Sequence, residues 1–222
     1  RNSTGIGTSA ADARNLSVTN LTITTTSWNA FLTEANGIGL GTVNVVANAL
    51  SLEAITGNIT DNTSAVTAGN LTLTATASGA AIGASGAATD INVTLSGTLT
   101  ASAATGAGGI FISQTGNLTV GAVNAGTGDV EIASSGTLTT TAGLDITGAN
   151  ITLTLAADKL LSVNATTSIT GSTNVTLIAD EMTLASAGPG DSIKATGGTL
   201  LLRAVDNGTL LKLGAGAGAD VS

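Results

Sequence analysis

The chain of 222 residues has no cysteine, no histidine and no tyrosine, one proline, and three aromatic side chains: Trp28, Phe31 and Phe111. Without Cys or His it can build neither a Ser-His-Asp nor a Cys-His nucleophile, no thiolate chemistry, and no ordinary zinc, iron or copper site. Charge is scarce as well. Asp, Glu, Lys and Arg make up 9% of the residues, against about 25% in an average soluble domain. Six Lys+Arg face 14 Asp+Glu, for a net charge of -8. Cations this thinly spread argue against nucleic-acid binding, which needs clustered positive charge to displace counterions from phosphates. No apolar run approaches the length of about 18 residues that a membrane-spanning helix requires. The missing cysteines leave the redox compartment open.

What fills the chain is small or β-branched: 30 glycines and 40 threonines, with abundant Ala, Ser and Asn. Apolar residues reach 42%, which excludes a disordered chain because that much apolar surface must be buried. One phrase recurs: Asn or Asp, then alternating aliphatic and Thr residues, then a Gly- or Ala-rich turn. It reads Asn70-Leu-Thr-Leu-Thr-Ala75, Asp90-Ile-Asn-Val-Thr-Leu95, Asn117-Leu-Thr-Val120, Asp129-Val-Glu-Ile132, Asn150-Ile-Thr-Leu-Thr-Leu155 and Asn174-Val-Thr-Leu177. The starting positions are unevenly spaced, so the repeat is degenerate. A second phrase, Gly-Thr-Leu, begins at Gly97, Gly136, Gly198 and Gly208. Alternation with period two sends successive side chains to opposite faces of an extended chain, aliphatics inward and hydroxyls outward. Val, Ile and Thr favour that conformation, and no period of 3.6 persists to support helix. The pairs Gly108-Gly109 and Gly197-Gly198 read as tight corners with positive φ.

Three aromatics cannot fill a sandwich core. Asn36-Gly37 and Asn207-Gly208 are the only Asn-Gly hairpin signals. A narrow solenoid fits better, each coil burying a few Leu, Ile, Val and Ala against like positions above and below. The expected fold is therefore all-β: a right-handed parallel β-helix of roughly 10 coils of about 20–25 residues, about 50 Å long at ~4.8 Å per rung. The reading is of one continuous solenoid over 1–222. The chain starts at Arg1, with no charged segment followed by an apolar one, which suggests an internal piece of a longer polypeptide.

Certain phrases resemble a known family. Gly69-Asn-Leu-Thr-Leu-Thr-Ala75, Ser96-Gly-Thr-Leu-Thr-Ala101, Gly148-Ala-Asn-Ile-Thr-Leu153 and above all Gly198-Thr-Leu-Leu-Leu-Arg-Ala-Val-Asp-Asn-Gly-Thr-Leu-Leu-Lys-Leu-Gly214 resemble the β-helical shafts of filamentous-haemagglutinin-like exoproteins. These are bacterial adhesins exported by two-partner secretion. The resemblance implies a non-catalytic shaft at the bacterial cell surface or in an extracellular filament, an outer-membrane secretion partner, and a host or matrix glycan or protein receptor. Separately, no amphipathic capping helix is seen at either end, so the end coils are expected to stack on adjacent coils of the same polypeptide or on head-to-tail copies.

Candidate sites are few, and no catalytic, cofactor or metal residue is expected. Asp129 and Glu131, two positions apart, would share one face as a carboxylate pair or form a solvated charged edge. Asp180 and Glu181 would face opposite ways. Gly126-Thr-Gly-Asp129 and Gly188-Pro-Gly-Asp191 put carboxylates in turns, without the nonapeptide of calcium-loaded β-rolls. The acceptor sequence Asn-x-Ser/Thr occurs 12 times. Asn20, Asn70, Asn92, Asn117, Asn150 and Asn174 are the candidate glycan acceptors, and the competing reading is that they cap turns or stack as Asn ladders inside the coil. Trp28 is the candidate sugar-stacking residue; alternatively it and Phe31 pack as a plug or mark a wider coil with an inserted loop. A second function class, a carbohydrate-binding or polysaccharide-cleaving β-helix, would need a groove of aromatics and carboxylates around Trp28.

Overall fold

A computed structural model describes residues 5–62, 64–86, 88–185 and 193–206, together with the backbone of 212–213. The alternating phrases are strands. In Ile146–Leu155 the aliphatics Ile151, Leu153 and Leu155 are buried, whereas Thr152 and Thr154 lie half-buried outside them. Strand pairing is parallel throughout the described residues, and the only helix among them is a single 3-10 turn, Ala10–Asp12.

One column of paired residues traces the winding: Arg14, Leu32, Leu52, Leu73, Ala101, Val123, Ile146, Ile169 and Ile193. Those are nine rungs, so the chain is a parallel β-solenoid of about nine turns rather than ten. The difference comes from uneven coils. The coil from Arg14 to Leu32 is short, whereas that from Leu73 to Ala101 is long because it carries an inserted loop at 83–90.

The core is a stack of small aliphatics; Leu50, Leu71, Leu99 and Val120 lie directly above one another, each at most 1% exposed. Outside runs a hydroxyl column, Thr98, Thr119, Thr139, Ser162 and Thr183, in register over five rungs. Such cross-strand neighbours contribute about 0.2–1 kcal/mol each. Neither phenylalanine is in the core. Phe31 and Phe111 point outward, over Gly7 and Gly83, which adopt positive φ of 71° and 72°.

That correspondence extends beyond the two phenylalanines. The strands Ala30–Glu34, Ile38–Asn44 and Leu50–Ala54 reappear, with equal lengths and equal spacing, as Ile110–Gln114, Leu118–Asn124 and Val130–Ser134. Ala30–Glu34 opens one coil and Ile110–Gln114 closes the third coil beyond it, so the two copies lie in opposite ladders. A narrow solenoid permits this, because both walls ask for the same inward aliphatics.

The glycine pairs are not left-handed corners. Gly108, Gly109, Gly197 and Gly198 have no positive φ. They mark close approach: a Cβ at Gly108 would collide with the Ala80 carbonyl, and one at Gly109 with the Phe111 ring. Gly208 lies outside the described residues.

Candidate functional site

The asparagines act between coils. Asn70 Oδ1 accepts the backbone N–H of Thr98 at 2.8 Å, Asn117 Oδ1 that of Thr137 at 3.0 Å, and Asn174 Oδ1 that of Thr199 at 2.9 Å. Each acceptor starts one phrase, and each donor is the Thr of Gly-Thr-Leu in the next coil. The glycine before that Thr has a steric reason: a Cβ on Gly97, Gly136 or Gly198 would strike the same carboxamide. The two phrases are therefore halves of one clamp. Asn29 and Asn58 do the same for Ala49 and Ala81, at 2.8 and 2.9 Å.

Two further devices extend the clamp. Asn174 Nδ2 donates to Asn150 Oδ1 at 2.9 Å and Asn150 Nδ2 to Asp129 Oδ1 at 2.8 Å, an Asn ladder across three coils. Asn62 Nδ2 reaches Asn20 Oδ1 at 3.0 Å across an entire coil, over Gly39, whose absent side chain leaves the space. As glycan acceptors the six positions therefore differ. In Asn92, Asn150 and Asn174 the amide nitrogen that would carry a sugar is committed to a hydrogen bond within 3.0 Å. The Nδ2 of Asn20 makes only a 3.5 Å contact with Thr19 Oγ1. Asn70 and Asn117 are exposed, and their Nδ2 atoms have no partner among the described residues. Asn2 and Asn207 lie outside those residues.

Trp28 is not a plug. It sits in the bend between Asn20–Thr24 and Ala30–Glu34, is 42% exposed, and borders an open hollow of about 240 Å³ lined by Thr24, Thr25, Thr26 and Ser27. That volume falls below the ~300–1,000 Å³ of typical small-molecule pockets.

The acidic pairs separate. Asp129 bonds to the next coil through Asn150, whereas Glu131 turns back to the 83–90 loop, where Ser85 Oγ lies 3.1 Å from both of its oxygens. Asp180 is buried and accepts N–H groups of Asp158 and Val205 at 2.8 and 2.9 Å, while Glu181 is exposed. Asp191 lies outside the described residues. Burial, and then the charge of Glu131, raises the Asp90 carboxyl above the usual carboxylate range. Among the described residues no group of three or more acidic side chains is placed to hold a metal ion, and no helix is long and apolar enough to cross a membrane.

Sequence reasoning passed over two buried corner residues, Glu34 and Gln114, which occupy matching places in the two copies of the repeated segment. Glu34 accepts the N–H groups of Val18 and Asn36, at 2.9 and 3.3 Å. Gln114 accepts the Leu95 N–H at 3.1 Å and points its amide donor, Nε2, at the carbonyls of Leu95, Thr115 and Asn117. The corner's own backbone decides which is needed: donors call for a carboxylate, a mixture for an amide. Aligning 30–54 with 110–134 is the signal that would have found them. Comparison with family models, curated proteins and solved structures yields no match.

Proposed function

We propose that this chain is a passive structural shaft, a coil-on-coil spacer in a bacterial surface adhesin or extracellular filament of the filamentous-haemagglutinin-like kind. The observation that carries this reading is the continuous stack. Aliphatics fill every rung, and the conspicuous polar side chains are engaged in clamping one coil to the next. The phrases that resemble those exoproteins, Asn-Leu-Thr and Gly-Thr-Leu, are the clamp itself. Past residue 206 the stack goes on, with Lys212–Leu213 laid parallel over Glu181–Met182. Export to the cell surface, an outer-membrane partner and sugars on Asn20, Asn70 or Asn117 belong to this reading.

A second reading has Trp28 as its observation. An exposed indole beside four hydroxyl side chains suits the apolar face and hydroxyls of a pyranose, making the chain a carbohydrate binder. A glycan array together with turnover assays on acidic polysaccharides separates the two. A shaft gives neither saturable binding nor products; binding abolished by Trp28→Ala overturns it.

A further inference from the structure

The buried polar atoms without a hydrogen-bond partner among the described residues are Asp61 Oδ1, Asp90 Oδ1 and Thr141 Oγ1. Two of these are carboxylate oxygens that flank Asn92, whose Nδ2 donates to Asp61 Oδ2 at 3.0 Å and to the Asp90 carbonyl at 3.4 Å. Asp90 is the more exceptional. It is 9% exposed, and neither of its carboxylate oxygens accepts a hydrogen bond among the described residues.

The surroundings of Asp90 are negative and rich in oxygen. Glu131 stands two rungs further along the stack, in register beyond Phe111, and its charge opposes that of Asp90. Between Glu131 and the loop stands Ser85 Oγ, 3.1 Å from each Glu131 oxygen, with one proton for two acceptors. Within the loop the carbonyls of Ala84, Ser85 and Gly86 converge on Thr89 Oγ1 at 3.0, 3.2 and 3.0 Å; Gly86 also accepts the N–H groups of Thr89 and Asp90, which leaves the Ala84 and Ser85 carbonyls sharing that one proton. No ion pair with Lys or Arg involves Asp90 or Glu131 among the described residues.

A buried carboxylate with no donor, opposed by a second one, is costly unless a counter-charge completes it. Oxygen is the only ligand type present, which selects a hard divalent cation, and an irregular shell built from a loop suits calcium better than octahedral magnesium. We propose that the base of this loop binds calcium, with Asp90 and Glu131 as the charged ligands and Ser85 Oγ and the carbonyls of Ala84 and Ser85 as neutral ones. Bound there, the ion staples the longest coil insertion to the shaft two rungs on, across Phe111. The proposal holds for a spacer and for a sugar binder alike.

Isothermal titration of calcium chloride into the purified chain, paired with thermal unfolding, tests this, with magnesium chloride and matched sodium chloride as controls. One saturable site with Kd on the order of 10⁻⁴–10⁻³ M, the range of extracellular modules, and a calcium-dependent rise in Tm are expected. Affinity should fall at least about tenfold in Asp90→Asn and in Glu131→Gln, because each removes a charged ligand. It should fall less in Ser85→Ala, an exposed position that leaves folding untouched, and not at all in Glu181→Gln. No saturable heat in millimolar calcium, or affinity that survives Asp90→Asn or Glu131→Gln undiminished, overturns the proposal.

Discussion

Asp90 carries the clearest consequence at the scale of one residue. Its folded-state pKa is raised, by burial first and by Glu131 second, so the folded chain disfavours its charged form. The charged groups around it are Glu131 directly and Asp61 through Asn92. A raised carboxyl pKa means a destabilisation that is fully present above the folded pKa and vanishes as pH falls below the ordinary carboxylate range. In calcium-free buffer, Asp90→Asn is therefore expected to be more stable than the parent at pH 7. The difference should shrink as the pH falls to about 4, the ordinary carboxylate range, because the parent's folded-state carboxyl takes up its proton above that range. Urea unfolding at the two pH values measures it; a variant less stable than the parent at pH 7 would contradict the assignment. Little of this was legible beforehand. Asp90 reads in sequence as one more turn residue opening a strand, and only the folding of 83–90 over Phe111 brings Glu131 towards it.

At the scale of the element, the unit is the Asn-to-Thr clamp with its obligatory glycine. Removing the carboxamide in Asn70→Ala deletes one hydrogen bond to an accessible N–H and should cost about 1 kcal/mol. Gly97→Ala should cost more, since the new methyl meets both the Asn70 carboxamide and, at 2.9 Å, the Gly69 carbonyl. In the double variant the carboxamide is gone, so part of the Gly97→Ala cost disappears. A double-mutant cycle in denaturant should give a coupling of roughly 0.5–3 kcal/mol, the range for residues in contact. Strict additivity would mean the clamp is not the reason for the glycine. Both phrases were plain in the sequence, as was an Asn ladder, which Asn150 and Asn174 form half-buried rather than inside the coil. Their partnership was not, because which Thr stands over which Asn depends on coil lengths that change along the stack, as the coils starting at Arg14 and Leu73 show.

For the whole molecule, each rung packs its aliphatics against its neighbours, and only a few polar side chains such as Asn62 and Glu131 reach a rung further, so stability is close to a sum of rung and interface terms rather than the property of a single deep core. Leu73, fully buried between Leu52 and Ala101, is a central rung; Leu73→Ala should cost about 2–5 kcal/mol. A rung with more exposed aliphatics behaves differently. Leu200 and Leu201 on the strand Leu200–Arg203 are 42% and 44% exposed. Native-state hydrogen exchange should therefore protect Leu71–Ala75 most and Leu200–Arg203 least, with Leu73→Ala lowering protection most in adjacent rungs. Uniform protection along the stack would refute the nearest-neighbour picture.

The amino-acid order alone determined which side chains face in and which face out, because alternation with period two leaves an extended chain no other way to bury Leu, Ile and Val while wetting Thr. It also determined that the coil is narrow, since three aromatics cannot fill a wide interior. Tertiary structure decided everything that depends on stacking register. It set nine rungs, put Trp28 and both phenylalanines on the outside, and made Gly108 and Gly109 sites of close approach. It also placed the two copies of the repeated segment on opposite walls and left Asp90 buried without a donor among the described residues. The physical reason is that register is a relation between coils. An inserted loop such as 83–90 shifts what lies above what without disturbing the local alternation that the sequence displays.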